Sequence, residues 1–354
     1  MFRIAIAAEH DYTDNGRFGP WYDDRRLQSA LQARGHQVEI IDWEDTELDV
    51  LSFDSIFVSS TWNACDYPQQ YISWLNNCES DNQQRLINAK AVIAAGFTKY
   101  RYWGILEQIL ARNPAFQELG RLTPSRFYQD ANSPEDGVVQ PLAGRKLSDI
   151  LAELDQNPLW NRANIVIKPV ISADGKDTFV YNRFGREIPI DEDKRAQFVL
   201  DHADEANAIF HRLATDLNRK GVLLQTYMSG VEEGEYSLIM LDQKCTHAIQ
   251  KPKLFKGDSS SRRRFMPLDQ LPDKMLRFAE NIVEQLDNEF GSGSVSRARV
   301  DLFFQQGTPV LCELECVEPN TNIRIVANHN EEMANQILQT YVEVIEKRTA
   351  ALSS

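Results

Sequence analysis

Hydrophobic positions along the chain change period in a regular order. Phe2–Ala8 is a continuous apolar run, the pattern of a strand buried on both faces. Between about Asp23 and Arg34 the apolar residues Leu27, Ala30 and Leu31 fall at helical spacing, and Gly35 supplies a stop. Gln37–Trp43 and Ser55–Ser60 return to strand character. This strand–helix–strand opening predicts a small parallel α/β unit with right-handed crossovers. Leu86–Ala95 and Thr98–Ala111 read as helices joined at Gly96. From Arg121 onward the pattern is looser. Loop-rich Asn132–Gly144 precedes a helix near Lys146–Asp155 and strands at Asn164–Val170 and Thr178–Tyr181. An amphipathic helix over His202–Asn218 carries Ala206, Ile209, Phe210, Leu213 and Leu217 on one side, and the strand Val222–Met228 follows it. Glu235–Leu241 and Lys244–Gln250 form an antiparallel pair; Pro272–Glu289 and Glu331–Lys347 are long helices.

The most informative pattern is SRARVDLFFQQGTPVLCELECVEPN, Ser296–Asn320. Arg297, Arg299 and Asp301 alternate with Ala298, Val300, Leu302 and Phe304, and Gln305–Thr308 supplies a turn. On the return strand Glu313 and Glu315 share one face, while Cys312, Leu314 and Cys316 share the opposite, apolar face. Folding the hairpin gathers Asp301, Glu313 and Glu315 with two arginines. Such a cluster reads either as the solvated charged face of an antiparallel sheet or as a divalent metal site. Carboxylates at this density repel one another without a cation, and hard oxygen ligands suit Mg²⁺ shared with substrate phosphates.

Composition narrows the field. The 354 residues suffice for two or three lobes, and a net charge of −14 argues against a nucleic-acid partner. Five cysteines without CxxC spacing indicate neither a disulfide framework nor a zinc site; Cys312 and Cys316 read as small core residues. The N-terminus is too soon charged for a signal peptide and no apolar run approaches a membrane span, so a cytoplasmic location is expected. GxGxxG is absent after the first strand.

Further candidates lie along the chain. Thr61, Trp62 and Asn63 follow the third strand, where parallel sheets place ligands. Lys99 starts a helix. Lys168 sits among apolar strand neighbours, where a lysine calls for an anionic partner. After it comes the small, polar loop Ser172–Thr178, with Asp174 and Gly175, whose backbone can approach phosphate oxygens. Lys251, Lys253, Lys256 and Arg262–Arg264 form a basic, serine-rich segment that reads as a mobile surface loop or an anion clamp.

In this order the segments RRLQSALQARGHQVEIIDWED, FDSIFVSSTWNACDYPQQYISWL, LINAKAVIAAGFTKYRYW, VIKPVISADGKDTF, LLQTYMSGVEEGEYSLIML and RARVDLFF…VLCELECVEPN resemble the ATP-grasp ligases over nearly the whole chain. The subset in view is that of the cycloserine-biosynthesis cyclo-ligase and the prokaryotic glutathione-synthetase-like enzymes. The resemblance implies an α/β (α+β) chain of three parts: an N-terminal Rossmann-like domain over 1–120, a small lobe with the lid loop over 121–227, and a C-terminal lobe over 228–354. It implies ATP held by Lys99, Lys168, Ser172, Asp174, Gly175, Gln225, Thr226, Tyr227 and Glu235, the hinge at 225–227 reading adenine. It implies Mg²⁺ or Mn²⁺ on Asp301, Glu313 and Glu315; Glu315 stands where many relatives have Asn. Arg299 and Lys251 take catalytic roles, and Lys253, Arg264, Asn320 and Arg324 are substrate candidates. The chemistry implied is amide formation from a small carboxylate and an amine through an acyl phosphate, either between molecules or within one. A kinase-like activity, or nucleotide binding alone, is the alternative. The loop Gly257–Phe265 is expected to close over the site. No nucleic acid or membrane is expected as a partner, and a homodimer agrees with the resemblance.

Overall fold

The computed structural model describes residues 1–10, 22–130, 138–173, 175–190, 195, 197–251 and 263–353. Among these the strands form three sheets. In the first, β1 (Arg3–Ala8) lies between β2 (Gln37–Asp42) and β3 (Ser55–Ser60), parallel to both. Its central position explains the unbroken apolar run, since neither face meets water. Leu27 and Leu31 of the helix Tyr22–Ala33 pack with Ile4, Ile6 and Phe57. The final helix, Glu331–Leu352, adds Leu338, Tyr341 and Ile345 to the same core.

The second sheet has the order β6 (Val139–Pro141), β5 (Ser125–Gln129), β10 (Val222–Thr226), β7 (Ile165–Pro169), β8 (Phe179–Tyr181), β9 (Val199–Leu200). Strand β10 is antiparallel to both its neighbours. The helices Leu147–Leu154 and Ala203–Thr215 cover one face through Ile150, Leu151, Phe210 and Leu213. The third sheet runs β13 (Arg264–Met266), β12 (Lys244–Gln250), β11 (Tyr236–Leu241), β14 (Arg297–Gln305), β15 (Thr308–Glu315), β4 (Arg121–Leu122). Helix Asp273–Phe290 lays Met275, Phe278, Ile282 and Leu286 on Val300, Leu302, Leu311 and Leu314.

Several local expectations are revised. Leu86 is not helical. It bridges Ile56, with the Ile56 amide on the Arg85 carbonyl and the Ile87 amide on the Ile56 carbonyl, so this apolar pair extends the first sheet. The helix begins at Lys90 and runs through Gly96, where a Cβ would stand 3.2 Å from Cys316 Cβ. Leu217 lies beyond its helix and is 55% exposed. Asp216 leaves helical geometry there and accepts from the amides of Asn218 and Arg219. The short strands β4, β5, β6, β9 and β13 carry no apolar run longer than two residues, so no strand is legible there.

Two features fix the third sheet against its neighbours. Gly230, in the turn Ser229–Glu233, lies where a Cβ would come 2.0 Å from the Phe304 carbonyl oxygen, and its amide donates to Gln305 Oε1 at 2.7 Å. His247 is buried on β12; its Nε2 donates to the Thr321 carbonyl at 2.7 Å, and Nδ1 lies 2.9 Å from the Thr246 hydroxyl.

Gly230→Ala is expected to destabilise by about 1–3 kcal/mol through overpacking against backbone. Gly307→Ala, at φ +74° in open space, meets only the left-handed-backbone penalty of roughly 1 kcal/mol. Equal denaturation midpoints for the two variants would contradict the close approach at Gly230. Burial lowers the His247 pKa to about 4 from its ordinary 6.5, so the folded state prefers the neutral ring. That contribution is present above pH 6.5 and is lost as pH falls through 4; it is on the order of 3 kcal/mol. Urea midpoints of the native chain should drop across this window more steeply than those of His247→Gln.

Candidate active site

The site is built on β14 and β15. Arg299 pairs with Glu315 and Asp301 with Glu313, but Leu302 then pairs with Leu311, leaving Cys312 as the extra residue of a bulge. This corrects the simple alternation expected for the return strand. Leu311 joins Leu302 and Leu314 in the core, and Cys312 turns to the opposite side beside Tyr227 and Met228.

Asp301 is the centre of the cluster and is 1% exposed. Arg299 donates to both its oxygens, with Nε at 3.0 and 3.1 Å and a terminal nitrogen 2.9 Å from Oδ2. Lys251 Nζ lies 2.8 Å from Oδ2, and Ser237 Oγ donates to Oδ1 at 2.7 Å. Lys251 also pairs with buried Glu235. Burial raises the Asp301 pKa, but the charges of Arg299 and Lys251 outweigh it and hold the carboxyl well below its usual range.

Lys99 reaches the cluster from the start of the helix Lys99–Arg112. Its Nζ lies 2.9 Å from the Ser172 carbonyl, 3.2 Å from Ser172 Oγ and 3.5 Å from Glu313 Oε1. One buried ammonium therefore joins the helix, the base of the Ser172–Thr178 loop and the hairpin. Burial lowers its pKa, against the opposing pull of Glu313. Lys168, opposite Leu223 on β10, is half-buried and makes no ion pair among the described residues. Despite burial, the fields of Lys99 and Lys168 keep Glu313 low. Glu315 is raised, chiefly by burial and further by Glu313, while one oxygen accepts from the Val317 amide at 2.7 Å.

Other expected residues are placed as follows. Arg297 turns away from the carboxylates: it donates to the Val58 carbonyl at 2.6 Å and lies 4.2 Å over the Phe57 ring. Gln225 donates to Ser125 Oγ, the Thr226 amide to the Pro124 carbonyl and the Tyr227 amide to the Asn164 carbonyl. Gly175 has φ +70°, and Lys176 of the same loop pairs with Asp66 beyond β3. Asn63 is engaged by Trp43, Glu44 and Glu9. Arg264 donates to Gln250; Asn320 accepts from the Asn322 amide; and the Arg324 amide donates to Asp23. Asp174, Lys253 and residues 257–262 of the expected closing loop lie outside the described residues.

Glu318 was not singled out from sequence, although its spacing three residues after Glu315 was visible. Its Oε2 is buried without a hydrogen-bond partner. Burial and the neighbouring Glu315 push its carboxyl well up. The segment after it is pinned on two sides, with Thr321 donating to Asp23 and His247 holding the Thr321 carbonyl. Asp24 accepts from Ser59 and Ser60 at the carboxyl end of β3.

The carboxylate oxygens of Asp301, Glu313 and Glu315 suit a hard divalent cation in chemistry, and the buried oxygen without a partner belongs to Glu318, outside that set. The set is not assembled as a ready cage: no group of three potential ligands converges among the described residues, and both Asp301 oxygens are taken by cations. No helix among these residues is long and apolar enough to cross a membrane.

Comparisons agree with this architecture. Residues 4–88 match the family model described as the N-terminal domain of D-cycloserine synthetase DcsG. No curated protein matches the sequence. The crystal structure of D-cycloserine synthetase DcsG is similar at a TM-score of 0.69 and 20% identity, covering 97% of this chain and 99% of that one. D-alanine–D-alanine ligase from Bacillus anthracis is similar at 0.58 and 11%, covering 99% of each chain. The ATP-grasp ligase PsnB, solved with a minimal precursor, Mg and ADP, is similar at 0.51 and 12%, covering 98% of each. The fold expected from the sequence is the fold found: the chain has the ATP-grasp fold, and its residues 4–88 match the N-terminal domain family of D-cycloserine synthetase.

Proposed function

We propose that the chain is an ATP-dependent carboxylate–amine ligase working through an acyl phosphate. The observation that carries this reading is the meeting of buried Lys99 with Arg299 and Glu313 at the base of a glycine-containing loop, within an ATP-grasp fold. The substrate carboxylate attacks the γ-phosphorus of ATP, the bond to the β-phosphate oxygen breaks and ADP leaves. An amine then attacks the acyl carbon, the C–N bond forms, phosphate departs and the amine loses a proton. The chain's part is positioning and charge neutralisation. Lys99 and Lys168 face the phosphates. Arg299, held rigid by its bonds to Asp301, spreads positive charge toward the transferring group. Lys251 balances Asp301 and Glu235. Glu313 and Glu315, with Asp301 behind them, would hold Mg²⁺ or Mn²⁺, which supplies charge stabilisation to the phosphates. Residues 1–120, 121–227 and 228–354 serve as the N-terminal domain and two clasping lobes. The partners are small carboxylates and amines, with a homodimer as the working assembly.

Ring closure within one molecule is a second reading, favoured by the match of residues 4–88 to the D-cycloserine synthetase domain. ADP release from a single substrate, with loss of water from it, would support that version.

Hydroxylamine, replacing the unknown amine, should trap a hydroxamate equimolar with ADP when the chain is given Mg²⁺, ATP and pooled small carboxylates. Arg299→Gln and Lys168→Ala should each lower the rate by about 10²–10³. ADP without hydroxamate points to a kinase or idle ATPase, and unchanged rates in both variants would remove the site assignment.

A further inference from the structure

Behind the hinge that follows β10 lies a cavity of about 330 Å³, within the range of small-molecule sites. Neither the lysines facing the hairpin, nor Arg299, nor any of its carboxylates lines it. Strand alternation sets the two places apart. Leu223 and Gln225 face the Lys168 side of β10, being opposite Lys168 and Val166 in register. Thr226 follows Leu224 onto the helix-covered side and forms part of the cavity wall.

The wall holds three buried polar atoms without hydrogen-bond partners: Arg121 Nε, Asn164 Oδ1 and Thr226 Oγ1. Asn164 and Thr226 are 3% and 4% exposed and both line the cavity. A buried polar group left unpaired is unfavourable until something pairs with it. Charge points the same way. Arg121 and Arg186 supply cations, Glu187 and Glu232 anions, and Arg121 and Glu187 have no ion-pair partner among the described residues. An unpaired guanidinium N–H asks for an anionic acceptor. The unpaired amide and hydroxyl oxygens, with a free carboxylate beside them, ask for a cationic donor. One small molecule carrying both groups satisfies all of them.

We propose that this cavity is a second ligand site, for a zwitterionic α-amino acid whose carboxylate meets Arg121 and whose ammonium meets Asn164, Thr226 and Glu187. The site is independent of the ligase reading, because amino-acid binding is measured without ATP.

The test is calorimetric titration of the full chain with the L- and D-forms of the common amino acids, nucleotide absent. At least one should bind, and Arg121→Gln should weaken it tenfold or more. Glu187→Ala, at an exposed and unpaired position, gives the same reading should Arg121→Gln fail to fold. Lys168→Ala, on the other face of the sheet, should leave affinity within twofold. No binding by any amino acid overturns the proposal. So does binding that survives both cavity variants, or binding that Lys168→Ala abolishes while the cavity variants do not.

Discussion

A buried carboxylate with two cations holds the site together. Asp301 sits where water does not reach, and its charge is tolerable because Arg299, Lys251 and the Ser237 hydroxyl surround it. Removing one partner from such a group leaves an uncompensated charge and typically costs 3–5 kcal/mol. The arrangement therefore constrains side chains far apart in sequence. Ser237 comes from β11, Lys251 is the residue after β12, and Arg299 and Asp301 come from β14. Strand register and charge compensation agree, because Ser237 lies directly opposite Asp301.

Around that centre the three sheets meet through single side chains. Lys99 ties a helix of the N-terminal half to the loop after β7 and to β15. Arg297 fastens β14 to the edge of the first sheet through a carbonyl and an aromatic face. Gly230 lets the turn after β10 sit against the hairpin backbone. These contacts leave little tolerance, so substitutions there act on geometry as well as on charge.

Much of this was legible from the residues. The alternation of Arg299 and Asp301 with Val300 and Leu302 placed the charged face correctly, and the opening strand–helix–strand was readable because its apolar runs are long. The bulge at Cys312 was not readable, since one inserted residue changes the facing without changing composition. Arg297 kept its place in the alternation but found its partner on another sheet, which no local pattern encodes. The strands β4, β5 and β6 were not legible because RL, SRFYQ and VQP offer no apolar run longer than two residues, unlike β7, β8 and β10. Glu318 lay within a polar stretch that reads as loop, and its isolated oxygen becomes visible only once burial is known.

The packing of the last helix over the first sheet carries a consequence for biosynthesis. Leu338, Tyr341 and Ile345 complete the apolar layer begun by Ile4, Ile6 and Phe57, and Ser55 meets Thr349 at 2.7 Å in the interior. While the chain emerges from the ribosome, that layer stays uncovered until residues 331–352 have been translated. Until then Ile4, Ile6 and Phe57 lack the apolar cover that Leu338, Tyr341 and Ile345 supply.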